Sequence, residues 1–268
     1  MYVCTASLWR EIERTEGRII IELGETRKNN HGTLMEIVGI RKKADIDIQF
    51  IDDFNYVKEH VNYQNFLKGQ IKNPYDKTVY GIGYLGSGRY KTWNKGRFTT
   101  EYNSWSDMLS RCYADEKGQP AYFNKCTVCD DWLNFQIFCG WYNENVYKVN
   151  ERLHLDKDIL FPGNKIYSPK KCLLVPQRIN MLFVNIPNKR GLPNGISRTK
   201  HGFSAKYNQT ELGIFSTIEE AFFYYAIEKE KKIKEVAKEY ENVIPKKVYD
   251  ALFEYKVNIE YDKNYKVS

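Results

Sequence analysis

No run of this sequence is apolar for long enough to cross a membrane. The longest is about AFFYYAI at 221–227, and a spanning helix needs roughly 20 residues. The opening stretch, MYVCTASLWREIERTEG, has no apolar signal-peptide core and reaches Glu early. Cysteine is scarce, with 6 in 268 residues, too few to make a disulfide scaffold. These absences lead us to expect a soluble cytoplasmic protein with reduced thiols and no membrane partner. Acidic residues are missing where it matters more. Ile159 to Thr210 contains no Asp or Glu, yet it carries Lys165, Lys170, Lys171, Arg178, Lys189, Arg190, Arg198, Lys200 and Lys206. A second acid-free stretch, Lys77 to Thr100, holds Lys77, Arg89, Lys91, Lys95 and Arg97. Solvated faces usually mix signs. One-signed stretches this long point to phosphate contact, in keeping with a net charge of +7.

What is present suits a globular chain. Hydrophobic content is 42% and charged content 28%, which excludes general disorder. Aromatics reach 15%, with 21 Tyr. Base stacking is one use for them, and half-buried strand positions are another.

The first part of the chain alternates. RIIIEL, TLMEIVGI and ADIDIQFID read as strands, with Ile46, Ile48 and Phe50 on one face and Asp45, Asp47 and Gln49 on the other. Asn29 to Gly32 and Arg41 to Lys43 read as turns. VYGIGYLGSGRY at 79–90 contains G-x-G-x-x-G, but RYKTWNKGR follows it without a helical period. The dinucleotide fingerprint needs a helix there, so no nucleotide cofactor is expected. Further on, Ser104 can cap a helix that aligns Trp105, Met108, Leu109 and Cys112. A second helix near 130–141 groups Trp132, Phe135 and Cys139. A strand is expected at 153–160, a loop at 161–167, and a short helix or turn from Ser168-Pro169. Then NGISRTKHGFSAKY and QTELGIFS read as short strands. Thr217-Ile218-Glu219-Glu220 is a capping box opening a long helix to about Tyr240. A last helix starts at Pro245.

LHLDKDILFPGNKIYSPKKCLLVPQRINML, at 153–182, resembles the core of phage-type HNH endonucleases. In that family a β-hairpin and a helix hold one divalent metal against the scissile phosphate. The resemblance implies a metal-binding carboxylate at Asp156 and matches Gly163-Asn164 to the family's loop. Asn180 falls at the last metal-ligand position. Lys157 stands where the family has its general-base His, and Lys171 stands where an Asn commonly orients that His. A protonated Lys cannot take a proton from water unless its pKa falls by several units. His154 is the nearby imidazole. If the strand continues, His154, Asp156 and Asp158 share a face and can form a His/carboxylate cluster for magnesium or manganese.

ISRTKHGFSAKYNQTELGIFSTIEEAFFYYAI, at 196–227, resembles the apetala/ethylene-response-factor DNA-binding domain, a three-stranded sheet packed on one helix. That resemblance implies that Arg198, Lys200 and Lys206 contact DNA, with Gln209 and Thr210 weaker candidates. Phe203 and Phe215 stand near the places of the family's missing strand tryptophans. Lys165, Lys170, Lys171 and Arg178 are further DNA-binding candidates from the acid-free stretch.

Cys126 and Cys129 form a single Cys-x-x-Cys. Cys112 and Cys172 can complete a zinc site in space, but a role as small buried hydrophobes is preferred.

The expected fold class is α+β. Residues 1–75 form a small β module. Residues 76–190 form a ββα-metal-like module with flanking helices. Residues 191–268 form a three-stranded sheet packed on a long helix, followed by a C-terminal helix. Two functions are carried forward. One is a phage-type, metal-dependent DNA endonuclease or nickase acting in the host cytoplasm. The other is a catalytically silent relative that binds nucleic acid or a nucleoprotein complex as a regulator or inhibitor. Phosphate contact alone does not separate DNA from RNA.

Overall fold

The computed structural model describes residues 20–42, 44–115, 123, 125–185 and 187–265. The stretch MYVCTASLWREIERTEG lies outside them. The fold is α+β, and the chain divides between Asp76 and Lys77 into two compact units.

The first unit is an antiparallel sheet in the order β1 (Thr26–Lys28), β2 (Leu34–Lys42), β3 (Asp45–Ile51) and β4 (Val57–Asn62), followed by the short helix α1 (Tyr63–Leu67). Alternation does the work here. Met35 and Ile37 on β2 and Ile46, Ile48 and Phe50 on β3 are buried together with Phe66 of α1. Each such side chain contributes roughly 1.5–3 kcal/mol on burial. The opposite face keeps Asp47 in an ion pair with Arg41. RIIIEL is not a strand over its described residues, 20–23. Gly24, at φ 83°, turns the chain there, and pairing begins only at Thr26. Arg41 and Lys42 extend β2 rather than turning.

In the second unit, β5 (Trp93–Asn94) and β6 (Arg97–Phe98) form a hairpin that follows the glycine-rich stretch. Then come α2 (Thr100–Tyr113), β7 (Thr127–Val128), a 3-10 turn at Asp130–Leu133, and α3 (Phe135–Asn145). The cap of α2 is Thr99, whose Oγ1 accepts the Tyr102 N–H at 3.2 Å. Ser104, expected as the cap, is instead buried within the helix. It lies one turn further on, where the backbone amides already have helical partners.

Next are β8 (Leu153–Asp156), β9 (Ile166–Tyr167), β10 (Leu173–Pro176) and α4 (Gln177–Met181). β8 pairs antiparallel with β10, and β7 pairs parallel with β9. Ser168-Pro169 opens only a turn, in which the Lys171 and Cys172 amides both reach the Ser168 carbonyl at 3.1 Å. The chain must then straighten to pair with β8. The last elements are the antiparallel sheet β11 (Ile196–Thr199), β12 (Gly202–Tyr207) and β13 (Thr210–Phe215), then α5 (Ile218–Glu239) and α6 (Lys246–Glu254). Thr217 caps α5 by accepting the Glu220 N–H at 3.1 Å.

Three apolar clusters hold this unit. One joins α2 and α3 to Leu153, Leu155 and Leu174. A second joins Leu173, Val175 and Ile179 to Ile233, Val236, Val248 and Leu252 of α5 and α6. The third seats Ile196 and Ala205 on Ala221, Phe222 and Tyr225 of α5. Helix α5 serves two of these clusters, so the expected sections 76–190 and 191–268 lie together in one compact unit.

Gly195 shows how closely the last sheet sits on α5. Its φ is 79°, and a Cβ there would stand 2.3 Å from the Tyr225 ring and 2.6 Å from the Lys206 carbonyl. Backbone strain and overlap act together at this position. Gly195→Ala should lower unfolding free energy by roughly 1–3 kcal/mol in urea titration. Gly191→Ala, with nothing within 4 Å of its Cβ, bears only the strain and should cost less.

Candidate functional site

β8, β10 and α4 follow one another in ββα order. Their register settles which side chains share a face. His154 stands opposite Val175, and Asp156 opposite Leu173. Val175 and Leu173 belong to the cluster beneath α5 and α6. The face on which this motif would present a metal is therefore covered by apolar helices.

Asp156 is drawn inward. Its Oδ1 accepts the backbone N–H groups of Asp158 and Ile159, both at 2.8 Å. The residue keeps some exposed area, yet its carboxyl is packed so closely that burial dominates. Burial, with Asp158 nearby, pushes it up to about 6. Tyr255, just past α6, is pushed up by burial and by the same two carboxylates. Asp158 does not join Asp156, because β8 ends at Asp156 and the chain bends. His154 is half-buried with its Nε2 unpartnered among the described residues. Burial and then Arg152 and Arg111 hold the imidazole below its usual range. Asn180 is half-buried on α4. Among the described residues, no three His, Cys, Asp or Glu side chains gather around a point fit for a metal ion. This donor set does not fit magnesium or manganese. One oxygen of Asp156 is already saturated by two amides, and the face around it is apolar.

Lys157 leaves β8 on the other side, as strand alternation requires. It is only 5% exposed. Its Nζ donates to Asp158 Oδ1 at 2.7 Å and to the Asn164 carbonyl at 2.6 Å, with the Tyr167 ring 5.9 Å away. The general-base role expected at this position has no physical basis, since the amine is enclosed and hydrogen-bonded as an ammonium donor. Gly163-Asn164 builds the enclosure. Asn164 Nδ2 donates back to the Lys157 carbonyl at 2.9 Å, and a Cβ on Gly163 would meet Tyr261 at 2.6 Å.

The cysteines line the same interior. Burial pushes Cys112 and Cys172 up to about 12 and also raises Cys126 and Cys129. Lys157 lies near enough to Cys112, Cys126 and Cys172 to act on all three electrostatically. A zinc ion needs thiolates. A fixed ammonium among these thiols would repel it.

The other candidates lie on the β11–β13 sheet. Ile196, Ala205 and Gly213 align across the strands, and Ile196 and Ala205 face α5. Arg198 aligns with Phe203 and Phe215, which also pack on the helix side. Its guanidinium lies 5.0 Å from the Phe203 ring centre. Arg198 thus does not share the open face with Lys206, contrary to expectation. The reason is parity: Arg198 lies two residues from buried Ile196. Lys200 is exposed in the β11–β12 turn. Gln209 and Thr210 are exposed at the β12–β13 turn.

The open face presents Ser197, Ser204, Ile214 and Lys206, with Glu211 opposite Lys206 across the strands. Ile214 is 56% exposed. Arg190 folds over this face, and its Nη1 donates to Ser197 Oγ at 3.0 Å. Arg190 and Ser197 are additions to the expected site, and the period-2 pattern from Ile196 carries the signal for Ser197. Arg178 is lost from it, because it pairs with Glu239 at 2.5 Å and lies over the Tyr240 ring. Lys165 and Lys170 are exposed, and Lys171 is half-buried. No protein-family model matches the chain, and neither the curated proteins nor the solved structures include a significant match. The two family resemblances thus rest on the residues that carry them.

The raised carboxyl of Asp156 has a signed consequence. Its protonated form is favoured by folding, so the folded state binds more protons between about pH 4 and pH 6. Stability from this group is present at low pH and lost as pH rises through that window. Asp156→Asn keeps an oxygen for both amides and removes the titration. The wild type should lose up to roughly 3 kcal/mol relative to the variant between pH 4 and pH 7 in urea unfolding. Parallel profiles would mean that the carboxyl is solvated.

Proposed function

We propose that this chain binds duplex DNA through the open face of the β11–β12–β13 sheet, and that its ββα segment is scaffold rather than catalyst. The observation that carries the reading is the hydrogen bond of Arg190 to Ser197 on an uncovered sheet face that also presents Ser204 and Lys206, the latter opposite Glu211. Guanidinium, ammonium and hydroxyl groups are the usual donors to phosphate oxygens. Among the described residues no carboxylate lies within ion-pair distance of Lys165, Lys170, Lys189, Arg190, Lys200 or Lys206. A sheet face fits the wide major groove of B-form DNA, whereas the deep, narrow groove of duplex RNA excludes it. Both resemblances are to modules that phages carry, which supports a phage-type protein acting in the host cytoplasm. With catalysis removed, the reading is a regulator or inhibitor that occupies DNA or a nucleoprotein complex.

The nuclease reading has one observation in its favour, the ββα order of β8, β10 and α4 with Asn180 on the helix. It requires a metal to reach the Oδ2 of Asp156, whose Oδ1 already accepts two amides, on a face that packs against α5 and α6. Plasmid cleavage separates the two readings. Supercoiled plasmid should remain supercoiled with magnesium or manganese, and Asp156→Asn should bind DNA like the wild type. Nicking that Asp156→Asn abolishes would restore the nuclease.

Duplex affinity should fall steeply with salt, by a slope of about 0.9 per phosphate contacted. Arg190→Ala and Lys206→Ala should each weaken binding and shallow the slope by about 1. Arg178→Ala, already paired with Glu239, should leave both unchanged. Fluorescence anisotropy at several salt concentrations checks this, and salt-independent affinity would remove the basis for the proposal.

A further inference from the structure

The β5–β6 hairpin is a separate surface that the sheet does not use. Lys95 and Gly96 make its two-residue loop between Asn94 and Arg97, at φ 47° and φ 79°. Positive φ at both loop residues matches the natural twist of paired strands. A Cβ on Gly96 would meet nothing within 4 Å, so the tip stands in open space.

Both ends of the hairpin are rooted. The Thr99 N–H donates to the Thr92 carbonyl at 2.9 Å while the Thr99 hydroxyl caps α2. On the other side, Gln136 of α3 exchanges two 2.9 Å hydrogen bonds with the backbone of Tyr90. The hairpin is therefore held in place as a rigid projection.

Its aromatic face is unusual for a surface. Trp93 and Phe98 stand directly opposite each other with ring centres 4.8 Å apart, and they are 51% and 49% exposed. Phe98 stacks on Tyr102, which leads down to Trp105 and Phe135 in the core. Large aromatic surface left in water is costly. Arg89, Lys91, Lys95 and Arg97 flank the pair along the chain and are exposed, and no carboxylate among the described residues forms an ion pair with any of them. Lys77 to Thr100 contains no acid to offset them.

We infer that this hairpin is a stacking platform for an unpaired nucleotide. Trp93 and Phe98 take the base, and the surrounding cations take the flanking phosphates. Aromatic groups within a one-signed basic surface are the arrangement that binds single strands without sequence preference. An apolar protein partner would meet four uncompensated cations, and a duplex hides its base faces. The inference does not depend on the sheet, since each surface is tested by its own variants.

The test is anisotropy on labelled oligonucleotides of about 12 nucleotides, within the usual span of such sites. Oligo-dT, oligo-rU and a blunt DNA duplex are compared on the full chain. Trp93→Ala/Phe98→Ala should weaken single-strand binding on the order of tenfold to a hundredfold, while Trp93→Phe, which keeps a π-face, should retain most of it. Arg190→Ala/Lys206→Ala should affect the duplex and spare the single strands. Equal loss for oligo-dT and oligo-rU assigns recognition to base and phosphate, and a difference assigns the sugar; both support the platform. Should the double alanine variant lose its circular dichroism spectrum, Lys95→Gln/Arg97→Gln at the free tip replaces it. That variant should weaken single-strand binding with a shallower salt slope. Wild-type failure to bind either oligonucleotide at low salt overturns the inference, as does unchanged affinity in the folded variants. Binding to phosphatidylserine vesicles that needs Trp93 and Phe98, without oligonucleotide binding, would overturn it in favour of a lipid surface.

Discussion

The β8–β10 pair is covered on both faces, and the second unit is built around that constraint. A two-stranded ribbon is marginal by itself in water. Here Leu153, Leu155 and Leu174 enter one apolar cluster, while Leu173 and Val175 enter another. The strands thereby join α2 and α3 on one side to α5 and α6 on the other. Removal of either cover would expose a row of large aliphatic side chains.

The same constraint decides the chemistry of the Asp156-Lys157 pair. Consecutive strand residues point to opposite faces, and both faces are interior. Asp156 answers burial by accepting two backbone amides and by holding its proton more tightly. Lys157 answers it with Asp158, the Asn164 carbonyl and the Tyr167 ring. A carboxylate and an amine that resemble catalytic groups are thus accounted for as the polar satisfaction of a doubly covered ribbon.

The two surfaces proposed to meet nucleic acid lie where the clusters do not cover the chain. β11, β12 and the β5–β6 hairpin lie in acid-free stretches, and β13 brings Glu211 opposite Lys206. Several other cations are paired: Lys232 with Glu235, Lys246 with Asp250 and Arg178 with Glu239. Such exposed pairs add little stability.

Much of the fold was legible in local pattern. Ile46, Ile48 and Phe50 alternate because a strand side chain repeats every second residue, and they are buried together. Thr217 and Glu220 marked the start of α5 because an orphan amide needs a nearby oxygen. Pro245 marked the start of α6 in the same local way. The acid-free stretches were plain from composition. The site was less legible. Arg198 looked equivalent to Lys206 until the register placed it beside Phe203 on the helix side. Arg178 looked free until α5 brought Glu239 to it. Asp156 and Lys157 had the spacing of a reactive pair, but helices formed from residues some 60 to 100 positions further along the chain cover the Asp156 face. The sequence by itself determined strand and helix periods, caps and charge distribution, because those depend on neighbours within a few residues. Tertiary structure alone decided which polar groups meet water, because covering and pairing come from segments distant in the chain.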